Sequence, residues 1–211
     1  MYTELKEKIV EALKYIESKG WNQGRSGNMS ILIRERGHVL VTPSGALKAK
    51  LQPKDLLVVD LSGNVVEGTS KPTIELPFHL AIYRNFNNIN AIVHAHGLHS
   101  TVLAVTRESL PPLIEEALIS IGGEVRVAEF APAGSKELAD NVVKALEGRK
   151  AAILANHGVV ACGKDIDEAV EILGLVERLS CIYILARQIG TVYLLPMEVI
   201  ELHKKEFKGK V

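Results

Sequence analysis

Apolar residues recur at Leu5, Ile9, Leu13 and Ile16. That spacing puts them on one face of a helix from about Thr3 to Lys19. Gly20 follows, where a helix finds its stop. The period then changes. "MSILI" and "HVLVT", on either side of "RERG", read as a hairpin, and "DLLVVD" and "NVVEG" around "LSG" read as a second. Helical spacing returns from Thr73 to Asn85, with Thr73 placed as the N-cap. "NAIVHAH" reads as a buried strand. Residues 98–106 read as a helix, as do residues 112–120 with a weaker pattern. "EVRVAEF" is a strand and Ser135 to Leu146 a helix. "AAILANHGVVACG" is two short strands around "NHG". Asp165 and Glu168 make a capping-box pattern that opens a long helix ending near Gly190. Pro196 starts a last helix, proline being suited to a first turn.

Helices and hairpins are interspersed, with no regular βαβ repeat. The expected class is therefore α/β, a sheet with much antiparallel pairing and helices on both faces. No linker, repeat or low-complexity tract divides the 211 residues, so one domain over 1–211 is expected. Composition changes this picture little. The chain is 47% apolar and 24% charged with zero formal charge, so nothing points to a nucleic-acid or membrane partner. The N-terminal segment mixes charge and apolar residues from its start, and no targeting segment is expected. No run is long enough to span a bilayer. Cys162 and Cys181 make no disulfide framework; both read as small core residues in a reducing cytoplasm.

Candidate chemistry starts at "AIVHAHGLHS", which holds three of the seven histidines. Side chains i and i+2 of a strand share a face, so His94 and His96 stand together with Ala95 turned away. Two protonated imidazoles so placed would repel. Sharing a divalent cation removes the conflict, neutral imidazole being a good zinc ligand. A catalytic site of that type needs a third protein ligand and an open position. "LANHGVV" offers His157 in the same setting, an apolar strand ending in a histidine. Glu75, near the start of a helix, is a candidate carboxylate. His79 lies one turn further along the same face, where "LPFHLAIY" reads as a half-buried helix histidine, and His99 reads as a helix-start or surface residue.

Three glycine-bearing or helix-opening stretches, "GRSGNMS", "TPSG" and "KPTIE", turn backbone N–H groups outward. Glycine lets the chain approach an oxyanion closely, and a helix start favours negative charge. Asn28, Ser44 and Thr73 add side-chain donors. Each stretch alone is an ordinary turn; together they make a phosphate pocket a candidate. None matches a P-loop or a dinucleotide fingerprint.

In their order "NQGRSGNMS", "TPSG", "KPTIE", "HAHGLHS" and "NHGVVACG", these stretches resemble the class II aldolase/adducin family, and within it the L-fuculose-1-phosphate aldolases. The resemblance runs through nearly the whole chain. It implies a three-layer α/β/α sandwich about a mostly antiparallel sheet. It implies one Zn²⁺ per subunit, with Co²⁺ or Mn²⁺ also suited, held by His94, His96 and His157, with Glu75 alternating between ligand and base. It implies a phosphate site from Gly27, Asn28, Ser44, Gly45, Thr73 and the backbone at Ile74. It implies a homotetramer with active sites between subunits. The implied reaction cleaves a ketose 1-phosphate, L-fuculose 1-phosphate or a deoxypentulose 1-phosphate, to dihydroxyacetone phosphate and an aldehyde through a metal-stabilised enediolate.

The chain departs from that family at three places. Thr73 and Ile74 stand where the fuculose-phosphate enzymes tend to have a pair of serines. Arg25 replaces a small hydroxyl residue and is either an added phosphate contact or an ion-pair residue. Glu116, beside Glu115, falls near the tyrosine that donates a proton in those aldolases. Glu116 is then either a second acid/base at a neighbouring subunit's site or part of a solvated helix face. A glutamate there raises a methylthioribulose-1-phosphate dehydratase as the alternative on this scaffold. A non-catalytic module like the adducin head is the alternative of another class.

Overall fold

The computed structural model describes residues 1–207. In chain order they form α1 (Thr3–Ser18), β1 (Asn28–Ile33), β2 (His38–Val41), β3 (Leu57–Asp60), β4 (Val65–Glu67), α2 (Leu76–Asn85), β5 (Ala91–Ala95), α3 (Leu98–Thr106), α4 (Glu115–Ser120), β6 (Arg126–Ala128), α5 (Lys136–Leu146), β7 (Ala151–Leu154), β8 (Gly158–Gly163), α6 (Ile166–Ile189) and α7 (Met197–Phe207). The strands build one sheet in the order β4-β3-β2-β1-β5-β8-β7-β6. Every pairing is antiparallel except β6 with β7.

Strand alternation divides the core into two faces. Val93 and Ala95 of β5 and Val159 and Ala161 of β8 pack with Ile9 and Leu13 of α1 and Leu173 and Val176 of α6. Ile92, Val160 and Cys162 point the other way, to Phe78 and Ile82 of α2 and Val142 and Leu146 of α5. The result is the three-layer, mostly antiparallel α/β arrangement. Each large side chain so buried contributes about 1.5–3 kcal/mol before chain entropy is subtracted.

Some boundaries move, for physical reasons. α2 begins at Leu76 rather than Thr73. A helix from Thr73 would need the residue-77 N–H to bond the Thr73 carbonyl, and Pro77 has none. Leu76 N–H reaches that carbonyl instead, at 3.1 Å, and the Thr73 hydroxyl accepts from Glu75 N–H at 3.3 Å. α4 begins only at Glu115, after an extended Ile114. β6 is an edge strand of three residues; Val125, just before it, pairs with Leu110 outside the sheet. Asp165 caps α6 by accepting from Glu168 N–H at 2.9 Å. The Glu168 carboxylate turns to Lys164 N–H and the Lys150 ammonium, so only half of a capping box forms. Cys162 is fully buried, but Cys181 is half-buried on α6 and not a core residue.

The site depends on the middle of this sheet. β1, β5 and β8 are neighbours, with Asn28 opposite His94 and His94 opposite Val160. The tight turn between β7 and β8 puts His157 beside the end of β5. Gly158 is required there, since a Cβ would lie 2.5 Å from the Ala95 carbonyl oxygen and 2.8 Å from the His96 ring.

Candidate metal centre

Three elements converge on one point. His94 lies in the buried strand β5, His96 follows the end of that strand, and His157 sits in the β7–β8 turn. Their rings are mutually edge-on, with centroids 4.9 Å apart for His94 and His96, 4.8 Å for His94 and His157 and 5.0 Å for His96 and His157. One ligand atom from each lies within 4.8 Å of the other two. His94 Nδ1 is 3.0 Å from the Val159 carbonyl. A carbonyl only accepts, so that nitrogen carries a proton, and Nε2 is the ring atom that faces the cluster. His96 Nε2 is 3.0 Å from His94 Nε2.

Glu75, at the entrance to α2, closes the group. Its Oε2 is 3.2 Å from His94 Nε2 and its Oε1 3.2 Å from His157 Nε2. The carboxylate is 5% exposed. Burial alone would raise its pKa; the charge of His94, its hydrogen bond, the charge of His157 and the Asn28 amide outweigh that and hold it well below the usual carboxylate range. Burial first, then the charges of its fellow histidines, pushes His96 down to about 4. Burial and the charge of His94 do the same to His157, also to about 4. Both rings are therefore neutral near pH 7, as metal ligands must be.

These residues fit a divalent metal ion. Glu75 Oε1 is a buried oxygen with no hydrogen-bond donor, an expensive arrangement for a carboxylate unless a cation completes it. Three imidazoles from two separate segments with a carboxylate alongside make a donor set of the open, catalytic type.

The three loops expected to hold phosphate also meet. Pro43 bridges Pro72, Ser44 N–H donates to the Lys71 carbonyl at 2.9 Å and Thr73 N–H to the Thr42 carbonyl at 3.1 Å. Ser44 and Thr73 thus use their N–H groups to join "TPSG" to "KPTIE", leaving their hydroxyl protons to offer. Arg25, exposed, donates to the Gly45 carbonyl and ties the first loop to the second. Gly27 adopts φ +66°, and a Cβ there would lie 2.5 Å from the His94 carbonyl oxygen; the loop presses directly on the metal-ligand strand. Ile74 is 63% exposed.

Glu116 is not brought to the histidines within this chain. It ion-pairs with Arg178 of α6 and lines a groove of about 700 Å³ with Tyr15, Trp21 and Leu175, on the α1/α6 side of the sheet. Glu115 is its neighbour in the first turn of α4. His99 is the second residue of α3, with its side chain 38% exposed.

Sequence reasoning missed several neighbours. His79 is fully buried rather than half-buried and reaches Asn28 Oδ1 at 2.5 Å and Ser30 Oγ at 2.7 Å. Asn28 Nδ2 donates to Glu75 Oε2 at 2.7 Å, and Tyr83 OH meets Ser30 Oγ at 2.7 Å. A signal for this existed. Glu75, His79 and Tyr83 recur every four residues on a helix, and Asn28 and Ser30 alternate on a strand. Glu177, buried in α6, accepts N–H groups from His99 and Ser100 at 3.2 and 2.9 Å. It caps α3, whose own N-cap, Gly97, has no side chain to do so. Lys48 is buried, its ammonium donating to the Ala46 carbonyl at 3.3 Å. Burial, with the charge of Arg25 adding to it, lowers its pKa. In "ALKAK" nothing distinguished that lysine from a solvated one.

The profile of the Class II Aldolase and Adducin N-terminal domain family matches residues 7–184. A 5-deoxy-D-ribulose 1-phosphate aldolase of Bacillus thuringiensis serovar kurstaki is 36% identical over 204 residues, covering 97% of this chain and 95% of that one. A 5-methylthioribulose-1-phosphate/5-deoxyribulose-1-phosphate aldolase of Rhodospirillum rubrum is 33% identical over 204 residues, covering 97% and 91%. Among solved structures, an L-fuculose 1-phosphate aldolase superposes with a TM-score of 0.92 at 40% identity, covering 97% of this chain and 96% of that one.

Proposed function

The chain belongs to the class II aldolase/adducin family and is an enzyme of the aldehyde-lyase type, and on that premise we propose that it is a zinc-dependent ketose-1-phosphate aldolase. The reaction is reversible cleavage to dihydroxyacetone phosphate and an aldehyde. L-Fuculose 1-phosphate or a 5-deoxypentulose 1-phosphate is the substrate, as the relatives' activities suggest. The observation that carries the reading is the meeting of three imidazoles with a buried Glu75 oxygen that lacks a donor. An interaction module without chemistry has no use for that constellation.

His94, His96 and His157 would hold the ion, with Glu75 able to join them. A divalent metal there supplies a Lewis acid that withdraws electron density from the substrate's oxygens. The remaining work belongs to the chain. Gly27, Ser44, Gly45, Thr73 and the backbone at Ile74, with Arg25 at the rim, grip the phosphate and orient the reacting carbons. In cleavage the C4 hydroxyl gives up its proton to solvent as the C3–C4 bond breaks, C4 leaves as the aldehyde, and the electron pair stays on the three-carbon half. Glu75, an ionised carboxylate at rest, removes the C3 proton in condensation, and in cleavage takes a proton from solvent and delivers it to C3. Glu75 Oε1 is the oxygen for that transfer. No lysine Schiff base takes part. The assembly proposed with this reading is a homotetramer that completes each site across a subunit boundary, checked by light scattering of the purified protein.

Incubation of metal-loaded protein with dihydroxyacetone phosphate and a panel of aldehydes, read by NMR, tests the reaction. Ketose 1-phosphates should form, and dihydroxyacetone phosphate should reappear in the reverse direction. A methylthioribulose-1-phosphate dehydratase would instead release water and keep its carbon chain whole.

A further inference from the structure

The hydrogen bonds running back from Glu75 have one consistent direction. An ionised carboxylate only accepts, so the Asn28 amide donates to it. The Asn28 carbonyl oxygen then accepts from His79 Nε2–H. Burial pushes the His79 imidazole down to about 3, against the opposing pull of Glu75. The ring is therefore neutral, and its Nδ1 accepts from Ser30 Oγ–H. Tyr83 O–H in turn donates to the Ser30 oxygen. Tyr83, Ser30, His79 and Asn28 are each 3% exposed or less, so water cannot substitute for any of them. Phe78 stacks on the His79 ring at 4.6 Å and meets His94 edge-on at 5.6 Å, which keeps both rings from turning.

We propose that Tyr83, Ser30, His79 and Asn28 are a positioning relay for Glu75, tethering Oε2 so that Oε1 alone is left free to work. The Asn28 side chain on this assignment serves the carboxylate, and phosphate binding falls to the other loop groups. Two periodicities meet to make the relay. Glu75, His79 and Tyr83 share the inner face of α2, and Asn28 and Ser30 share the facing side of β1. Bonds within such a dry chain all polarise in the same sense, toward the carboxylate. The inference rests on the metal-centre reading above.

Asn28→Ala, His79→Ala and Tyr83→Phe test it beside His94→Ala, all with Co²⁺ as the probe metal. The readouts are Co²⁺ affinity, the Co²⁺ visible absorption bands, kcat and KM for C3 proton exchange in dihydroxyacetone phosphate, and inhibition by inorganic phosphate. Asn28→Ala and His79→Ala should weaken Co²⁺ about 10–100-fold, shift the bands and lower kcat, with KM and phosphate inhibition unmoved. Tyr83→Phe, which deletes one hydroxyl and keeps the packing, should move the same readouts less, and it decides the matter if His79→Ala does not fold. A rise in KM and weaker phosphate inhibition in Asn28→Ala, with kcat and Co²⁺ affinity retained, would make Asn28 a phosphate ligand and overturn the relay. Wild-type behaviour in both Asn28→Ala and Tyr83→Phe overturns it too. If His94→Ala loses Co²⁺ in that case, the relay alone has failed; if His94→Ala keeps Co²⁺, the metal assignment beneath it has failed.

Discussion

Glu75 and Glu116 look alike on paper, each an acidic residue near a helix start with an apolar run behind it. Their surroundings separate them. Glu75 is buried, touches two imidazoles and an amide, and has an oxygen without a donor. Glu116 is half exposed and closed by Arg178, the kind of pair that solvent screens and that contributes about 0–1 kcal/mol. A carboxylate is poised for chemistry when the protein removes water from it and does not supply a full counter-charge. The strand ends of β5 and β8, in the middle of the sheet, do this; the groove between α4 and α6 does not.

The sharpest way to break that contrast is His94→Ala. It should abolish metal binding and cost on the order of 10³-fold or more in turnover, measured by elemental analysis and by NMR of the products. A variant that kept its metal would dissolve the difference between the two regions. Glu75→Gln comes next. It should fold, hold phosphate, and lose C3 proton exchange by about 10²–10⁴-fold; unchanged exchange would take Glu75 out of the base role.

Acid should act on the first region through its histidines. His96 and His157 titrate near 4 in the fold, below the ordinary histidine value. Between roughly pH 6.5 and 4 the unfolded chain therefore binds more protons than the native one, and stability must rise with pH across that window. Glu75, also depressed, adds to the loss of stability at lower pH still. Melting of chelator-treated protein should fall steadily as pH drops from 6.5 to 4. A flat profile would mean that these rings are not held neutral. The smallest effect is expected at Glu116. Glu116→Gln should change stability by no more than about 1 kcal/mol and leave C3 exchange intact. Lost exchange would put Glu116 beside the same carbon as Glu75 and erase the contrast.

Much of the site was legible along the chain. The alternation in "NAIVHAH" placed His94 and His96 on one face, and "ANHG" announced His157 at a turn. Those signals are local, and strand geometry alone converts them into directions. Glu75 was legible as a candidate, although its place in the cluster depends on where α2 begins, which Pro77 moved by three residues. The relay behind Glu75 was written in two periodicities, four along α2 and two along β1, but nothing local says that these two faces meet. Lys48 and Glu177 left no sign, since a lysine among lysines and a glutamate on a long helix look solvated until tertiary packing covers them.

By itself the sequence determined the elements, their apolar faces, and the side chains able to hold a metal or move a proton, because those properties follow from backbone period and functional-group chemistry. Only the tertiary structure decided that β1, β5 and β8 lie side by side, that the Asn28 amide donates to Glu75, and that Glu75 is dry while Glu116 is wet. Those outcomes depend on which groups lose water together, a property of packed surfaces that no single segment contains.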